Sequence, residues 1–290
     1  MKKIGIVTDS HSSISPAAAK ELGIHVLPMP FTIDGQDYYE GVTLSREDFF
    51  AYQRAGAEIG TSQPAPADVL TLWDQLLEEY ESLLYMPISS GLSGSCATAT
   101  ALAEDEPYAG RVFVVDNGRV ATPLHRSILD AMELIDKGLT AAECKAALEG
   151  ARDELCIYIA VQTLEYLKKG GRISPTTAAV GTLLNIKPIL HLTTGKLDSF
   201  KKARGMVKAK ELMLEAIRSD LAIRFADAQS RGDVHLMAAG SASPEETARW
   251  IAQIEAAFPG MPVMYDDLSL GVSCHTGEGA LGVGLSIRPR

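Results

Sequence analysis

The chain has 290 residues and a mass of 31.0 kDa, which is enough for one large domain or two domains of ordinary size. A hydrophobic content of 46% with 22% charged residues is typical of a folded globular protein and excludes a chain that is disordered throughout. The formal net charge of -10 argues against a general nucleic-acid-binding protein, because such proteins neutralise phosphates with a surplus of Lys and Arg.

Neither a membrane segment nor a metal centre is indicated. The chain contains no run of about eighteen apolar residues, and its start, MKKIGIVTDS, holds too short an apolar stretch for a signal peptide. The four cysteines include no CxxC pair, and the six histidines show no metal-ligand spacing. We therefore expect a cytoplasmic protein without metal or cofactor, whose cysteines at 96, 144, 156 and 274 are reduced thiols in or near the core.

Strands and helices alternate through the first half of the chain. The predicted elements are a strand over 3–8, a helix over 16–22, a strand over 24–28, a hairpin over 31–41, a helix over 45–55, an extended segment over 60–66, a helix over 67–82, a strand over 112–116 and helices over 123–137 and 140–153. This alternation implies a mainly parallel sheet, with ligand-facing loops at the carboxyl ends of its strands. Polar loops near residues 9, 61 and 90 are the candidates for one such edge.

The loop near residue 90 follows an apolar strand predicted over 83–88 and precedes a helix that reaches residue 103. It contains Gly91 and Gly94, which allow positive φ, and either Ser93 or Ser95 is suited to cap the helix. Free backbone N–H groups, serine hydroxyls and the positive end of a helix would then meet at one point, which suits a carboxylate or a phosphate. The alternative is that Ser and Gly only form a turn here.

A second α/β pattern starts near residue 155. The predicted elements are a strand over 156–161, a helical turn over 163–168, a helix near 176–184, a strand over 187–192, a turn at 194–195, a helix over 207–226, a strand over 234–239, a helix over 244–258 and strands over 262–265 and 280–287. We therefore expect two α/β domains with mainly parallel sheets, residues 1–157 and 158–290, and a ligand cleft between them.

Charge is unevenly distributed in this second half. Residues 168–210 carry ten Lys or Arg and a single acid, Asp198. A basic segment on an acidic protein suits an acidic partner or a phosphorylated ligand, although a helix face in solvent gives the same pattern.

Two stretches resemble catalytic or cofactor motifs, but one lacks a required residue and the other lacks the required context. Ser93 lies in GLSGS, which has Ser where the nucleophile elbow G-x-S-x-G needs its second glycine. The stretch GEGALG over 277–282 fits G-x-G-x-x-G, but the eight residues that follow are too few for the rest of a dinucleotide fold. A triad of Ser93, His275 and an aspartate remains open, since triads are defined by geometry. His275, in a polar turn between Cys274 and Thr276, is also a candidate ligand contact.

A series of motifs, in chain order, then resembles one known family. They are VTDS over 7–10, TSQP over 61–64, ISSGLSGS over 88–95, LEYLKKGGRIS over 164–174, LNIKPIL over 184–190 and HTGEG over 275–279. Together they resemble the DegV family of bacterial fatty-acid-binding proteins over essentially the whole chain. The LKKGGRIS and LNIKPIL blocks make this resemblance specific.

The resemblance implies a two-domain α/β protein that buries one long acyl chain and is not itself an enzyme. Hydroxyls and an imidazole would hold the lipid carboxylate, and the residues in the matching motifs are Thr61, Ser62, Ser93, Gly94, His275 and Thr276. Arg172 would lie near the carboxylate or contact a partner. That partner would be a separate fatty acid kinase, which uses ATP to make an acyl phosphate for phospholipid synthesis, and the basic segment would face it. Peripheral membrane contact during lipid exchange is a further expectation.

Two positions depart from the family pattern. Glu278 replaces the proline of the usual H-T-G-P-G, and Asn117 replaces the serine that usually follows Asp116. A Glu278 that pointed into the site would weaken anion binding by repulsion. Two other functions stay open: a serine esterase or acyl-phosphate hydrolase that uses Ser93 and His275, and a binder of another amphiphilic carboxylate.

Overall fold

The computed structural model describes residues 2–173, 185–193 and 196–290. The predicted helix over 176–184, the turn at 194–195 and Ser174 lie outside these residues. The chain divides into two units. The first unit extends to Arg152 and includes Ser269–Gly271 and Pro289–Arg290, and the second consists of Asp153–Leu268 and Val272–Arg288.

The first unit contains seven described strands, which are β1 (Lys2–Asp9), β2 (His25–Leu27), β3 (Pro30–Ile33), β4 (Gln36–Tyr39), β5 (Ile59–Thr61), β6 (Tyr80–Met86) and β7 (Val112–Val114). Its helices among the described residues are α1 (Pro16–Leu22), α2 (Arg46–Arg54), α3 (Pro66–Leu77), α4 (Ser95–Glu104), α5 (Thr122–Asp136) and α6 (Ala141–Gly150). A parallel sheet has the order β2-β1-β6-β7, and a small antiparallel sheet has the order β4-β3-β5.

The central strand β6 contributes to two hydrophobic clusters. Leu83 lies in the cluster that contains Trp73 of α3, whereas the next residue, Leu84, lies in the cluster that contains Ile128 of α5. Successive side chains of a strand point to opposite faces, so the two clusters cover the two faces of the sheet with helices. The α/β class and the parallel sheet predicted for the first half are confirmed.

Helix ends follow the local sequence in most cases. The Ser15 side chain accepts a hydrogen bond from the Ala18 N–H, and Thr140 and Glu143 form a complete capping box. The predicted helix over 67–82 is too long, because α3 ends at Leu77 and β6 begins at Tyr80. Pairing of β6 with β1 along its length overrides the helical pattern of these residues.

The elements that follow Arg152 begin with β8 (Leu155–Ala160) and α7 (Glu165–Lys169). The others among the described residues are β9 (Ile186–Thr193), β10 (Lys196–Arg204), α8 (Gly205–Ile223), α9 (Ala226–Ser230), β11 (Val234–Gly240), α10 (Pro244–Ala257), β12 (Val263–Asp267), α11 (Leu270–Thr276) and β13 (Leu281–Ile287).

The sheet of the second unit is mainly antiparallel, so the prediction of a mainly parallel sheet is wrong for this half. Its strand order is β10-β9-β8-β13-β11-β12, and within this sheet the described pairs are antiparallel except for β11 with β12, which is parallel. The strand β10 was not predicted, because its lysines hide the strand pattern. It lies at the edge of the sheet, where charged side chains are common, and its outer side carries a β-bridge from Leu197 to Ile173.

The core of the second unit lies between this sheet and two helices. Met213 and Ile217 of α8 and Trp250 of α10 are fully buried, and the Trp250 Nε1–H donates to the Gly282 carbonyl at 3.1 Å. Lys210 is also buried, paired with Glu246, so it does not belong to an exposed basic face. In the part of the chain that the structure describes, no helix has the length and apolar character needed to cross a membrane.

Candidate functional site

Asp9 links the loops that follow β1 and β6 at the carboxyl edge of the parallel sheet. Its buried carboxylate accepts one hydrogen bond from the His11 N–H at 2.9 Å and another from the Ile88 N–H at 2.8 Å. The polar loops near residues 9 and 90 therefore meet at this edge, as the sequence predicted. The loop near residue 61 instead follows β5 of the antiparallel sheet, so its assignment to the same sheet edge is wrong.

Most backbone N–H groups of the loop over 89–95 donate to oxygen atoms of the same loop. The N–H groups of Leu92 and Ser93 both donate to the Ser89 carbonyl, at 3.0 and 3.1 Å, and the Gly91 N–H donates to the Ser89 hydroxyl at 3.2 Å. The Ser95 N–H donates to the Ser93 hydroxyl at 3.2 Å. The turn thus satisfies these four N–H groups internally, and the free N–H groups predicted for this stretch lie at the start of α4.

Anion-binding capacity remains at the start of α4. Gly94, and not Ser93 or Ser95, occupies the N-cap position and makes no side-chain cap hydrogen bond. Within the described residues no acceptor is found for the N–H groups of Gly94, Cys96 and Ala97, which are first-turn donors at the positive end of the helix dipole. The half-buried Ser93 hydroxyl lies 3.0 Å from the Ser95 hydroxyl. Hydroxyls and helix N–H groups together suit a carboxylate.

The segment over 61–63 reaches the same helix end. Thr61 is half-buried at the end of β5, opposite Phe31, and Ser62 is exposed. The Gln63 side-chain amide oxygen, Oε1, accepts a hydrogen bond from the Thr98 hydroxyl at 3.1 Å, and it would lie 3.4 Å from a Cβ built on Gly94. Gln63 therefore holds the TSQP segment against the start of α4. The TSQP motif contains this residue, but the sequence alone indicates no such role for it.

In the second unit, His275 lies in the last turn of α11 and not in a flexible polar turn. Its ring is half-buried and packs directly on Gly170, where a Cβ would lie 2.0 Å from the imidazole Nδ1. A Cβ on Gly277 would lie 2.6 Å from the Tyr166 ring. The motif blocks over 164–174 and 275–279 therefore pack on each other, and Gly170 is a residue whose role the sequence did not reveal.

The neighbours of His275 have local partners. The buried Thr276 hydroxyl donates to the Val272 carbonyl of its own helix at 3.4 Å. The half-buried Arg172 guanidinium donates to the Gly170 carbonyl. Arg172 thus contacts the glycine on which the His275 ring packs.

The structure shows the environment of Glu278 and Asn117, the two residues that depart from the family pattern. Glu278 is exposed. Burial first, and then the charges of Glu165 and Glu278, raise the pKa of Tyr166. Asn117 is buried, and its Nδ2 donates to the Ser127 hydroxyl at 2.7 Å. Asn117 therefore acts within the first unit as a structural hydrogen-bond donor.

The described residues hold no group of His, Cys, Asp and Glu side chains arranged to bind a metal ion. All four cysteines lie in the described chain, are buried and form no disulfide. Burial, followed by the charge of Asp116, raises the pKa of the Cys96 thiol to about 12, so this thiol is protonated at neutral pH.

Comparisons with known proteins all indicate the same family. A model of the DegV family, described as uncharacterised proteins, matches residues 3–288. A DegV domain-containing protein of Deinococcus radiodurans is 33% identical over 285 residues, which cover 97% of this chain and 98% of that protein.

Solved structures agree in fold. A DegV family protein from Thermus thermophilus, described for its fatty acid binding, is 32% identical with a TM-score of 0.86, over 98% of this chain and 99% of that one. DegV from Bacillus subtilis, described as a fatty acid binding protein, is 27% identical with a TM-score of 0.83, over 99% of this chain and 100% of that one.

Proposed function

The chain belongs to the DegV family, and on that premise we propose that it binds one long-chain fatty acid in a buried tunnel and presents it to a separate fatty acid kinase. The observation that carries the proposal is the start of α4, where the Ser93 hydroxyl lies beside first-turn N–H groups in a chain that is 32% identical to a fatty-acid-binding relative. Such a site favours the ionised carboxyl group of a fatty acid.

Thr61, Ser93 and His275 are the proposed carboxylate ligands. Hydroxyl and imidazole N–H groups donate to a carboxylate oxygen with charge-assisted hydrogen bonds, each contributing about 1.5–3 kcal/mol when desolvated. Ser62 and Gly94 adjoin these ligands in the chain, and Thr276 supports His275 from the same helix turn. The acyl tail supplies most of the affinity, because each buried CH₂ contributes ~0.8 kcal/mol and a sixteen-carbon tail gains roughly 10 kcal/mol before ordering costs.

The chain is proposed to be the lipid-binding subunit. The partner kinase would transfer the phosphate from ATP to the carboxylate of the bound fatty acid. Lys168 and Lys169 are exposed, as are Lys201, Lys202 and Arg204 of β10. These side chains supply positive charge for an acidic face of the kinase or for its nucleotide. Arg172 is proposed to act here or beside the carboxylate, and lipid exchange is proposed to involve transient membrane contact.

The first test is mass spectrometry of an organic extract of the purified protein, with the lipid-to-protein ratio determined on the same sample. We expect one free fatty acid per chain. Absence of extracted lipid, together with no uptake of added palmitate by the delipidated protein, would contradict the proposed function.

The second test addresses the carboxylate ligands. The double variant Thr61→Ala with Ser93→Ala should lose palmitate binding while it keeps its fold. The matched control is Thr71→Ala with Ser82→Ala, which removes two hydroxyls that donate to backbone carbonyls elsewhere in the first unit. Equal palmitate affinity in the two double variants would refute the ligand assignment.

An ester hydrolase and a binder of another amphiphile make different predictions. A hydrolase would turn over a chromogenic ester, and Ser93→Ala would abolish that turnover. In the structure the Ser93 hydroxyl is hydrogen-bonded to the Ser95 hydroxyl, which is not a general base. A protein whose natural ligand is another amphiphilic carboxylate would bind that ligand more tightly than palmitate, so an excess of palmitate would not displace it.

A further inference from the structure

Asp116 lies two residues beyond the end of β7 and holds the first part of the loop over 89–95. Its Oδ2 accepts a hydrogen bond from the Ser90 hydroxyl at 2.5 Å, and its Oδ1 accepts one from the Ser90 N–H at 3.3 Å. Arg152 Nη1 donates to the same Oδ2 at 2.6 Å and to the Asp116 carbonyl at 3.0 Å. We call Ser90, Asp116 and Arg152 the Asp116 cluster.

Further contacts hold this cluster in place. The Asp116 N–H donates to Glu149 at 2.9 Å, and Glu149 is paired with Lys145. Gly118 lies so close to the Arg152 side chain that a Cβ there would be 3.3 Å from its Cγ and Nε. The Arg152 side chain therefore packs closely on the turn at Gly118, which limits the positions that Arg152 can take.

The cluster is connected to the proposed carboxylate site through one residue. Ser90 follows Ser89, whose N–H donates to the Arg119 carbonyl at 2.9 Å and whose own carbonyl accepts from Leu92 and Ser93. The position of Ser93 is thus fixed relative to Ser89, and Ser89 is held by the residues after β7. A ligand site formed in advance loses less conformational entropy when the ligand binds.

We propose that Asp116 and Arg152 are positioning residues for the fatty acid carboxylate, which hold the Ser93 hydroxyl and the start of α4 in binding geometry before the lipid arrives. This inference rests on the proposed function. It extends that function by naming two residues that touch neither the lipid nor Ser93 directly.

Positioning and simple electrostatics predict opposite results for Asp116. The negative charge of Asp116 is felt at Cys96, in the first turn of α4, where it opposes a second negative charge. If charge alone mattered, Asp116→Asn would remove this repulsion and strengthen fatty acid binding. If Asp116 positions the loop, the same variant weakens binding, because an amide has a single acceptor oxygen. Its NH₂ group would face either the Ser90 N–H or the donors on the Oδ2 side, which are the Ser90 hydroxyl and Arg152.

The experiment compares palmitate with 1-hexadecanol, which has the same chain length and no carboxylate. Each radiolabelled probe is transferred from phosphatidylcholine vesicles to the delipidated full-length chain. For Asp116→Asn we expect palmitate affinity to fall about tenfold and hexadecanol affinity to stay within about twofold. Arg152→Met, which keeps the packing on Gly118, should give the same selective loss and serves if Asp116→Asn does not fold.

The matched control is Arg231→Met, which breaks the Arg231–Asp233 pair of comparable exposure at 3.0 Å in the second unit. Its affinity for both probes should equal that of the wild type. Palmitate binding that is unchanged or tighter in Asp116→Asn would overturn the positioning role, and so would an equal loss for both probes. A wild-type chain that binds no palmitate would instead refute the proposed function, and the inference with it.

Discussion

Replacing Gly170 with alanine should displace His275. Gly170 has a φ of -75°, which any residue adopts, so the glycine is required by space and not by backbone conformation. A Cβ at this position would lie 2.0 Å from the His275 Nδ1 and 2.5 Å from its Cε1. Because non-bonded Cβ contacts shorter than 3.0 Å essentially do not occur, the ring must move by about 1 Å.

The size of the effect follows from the hydrogen bond that His275 is proposed to make. A hydrogen bond to a charged group contributes about 1.5–3 kcal/mol, so its loss should weaken palmitate binding by about tenfold to a hundredfold. Forcing a methyl group into this contact should also lower the free energy of unfolding by about 1–3 kcal/mol. Palmitate transfer from vesicles and urea unfolding measure the two effects.

A double-mutant cycle tests whether the effect acts through the ring. His275→Ala removes the clashing atoms, so adding Gly170→Ala to it should cost no further palmitate affinity. Gly171→Asn is the control, because nothing lies within 4 Å of a Cβ built there and Asn tolerates its φ of 68°. Wild-type binding and stability in Gly170→Ala, or a further loss of palmitate affinity in the double variant, would contradict an effect that acts through His275.

Three other predictions concern the first unit. Asp9→Asn should lower the free energy of unfolding by about 1–3 kcal/mol in urea, because its amide would face one of two buried N–H donors; an unchanged midpoint would contradict this. Burial would raise the pKa of Asp116, but hydrogen bonds from Ser90 and Arg152 outweigh it, and the pKa is lowered. The stability advantage of wild type over Asp116→Asn should therefore be complete near about pH 6 and shrink as the pH falls below about 4, and an advantage that grew on acidification would contradict the sign. Cys96 should not react with iodoacetamide at about pH 8 until the chain unfolds, as peptide mapping would show.

The sequence predicted those parts of the fold that depend on neighbouring residues. The helices predicted to begin at residues 16 and 140 begin at Pro16 and Ala141, with Ser15 and Thr140 as their caps, and the polar loop around Ser93 follows a buried strand. Caps and turns are decided by hydrogen bonds within a few residues, so one segment contains the information.

Features that depend on distant residues were not predictable in the same way. The direction of strand pairing around β10 is set by its partner β9, and the lysines of β10 gave no sign of a strand. Helix α11 contains Gly271 and Val272, which favour helix only weakly, so the helical position of His275 was not evident. The hydrogen bond from the Ser89 N–H to the Arg119 carbonyl likewise joins residues that are distant in sequence, and only the fold reveals their proximity.

The alternation of side chains along β6 has a consequence for the length of that strand. Leu83 and Leu84 belong to different clusters, so deleting one residue of β6 would exchange its two faces and move apolar groups out of both cores. The same deletion would draw the loop with Ser93 back along the strand by about 3.3 Å. Insertions and deletions should therefore be tolerated in the exposed turn near Val42 and not in β6. The number of residues in β6 sets how far the Ser93 loop extends beyond the carboxyl edge of the sheet.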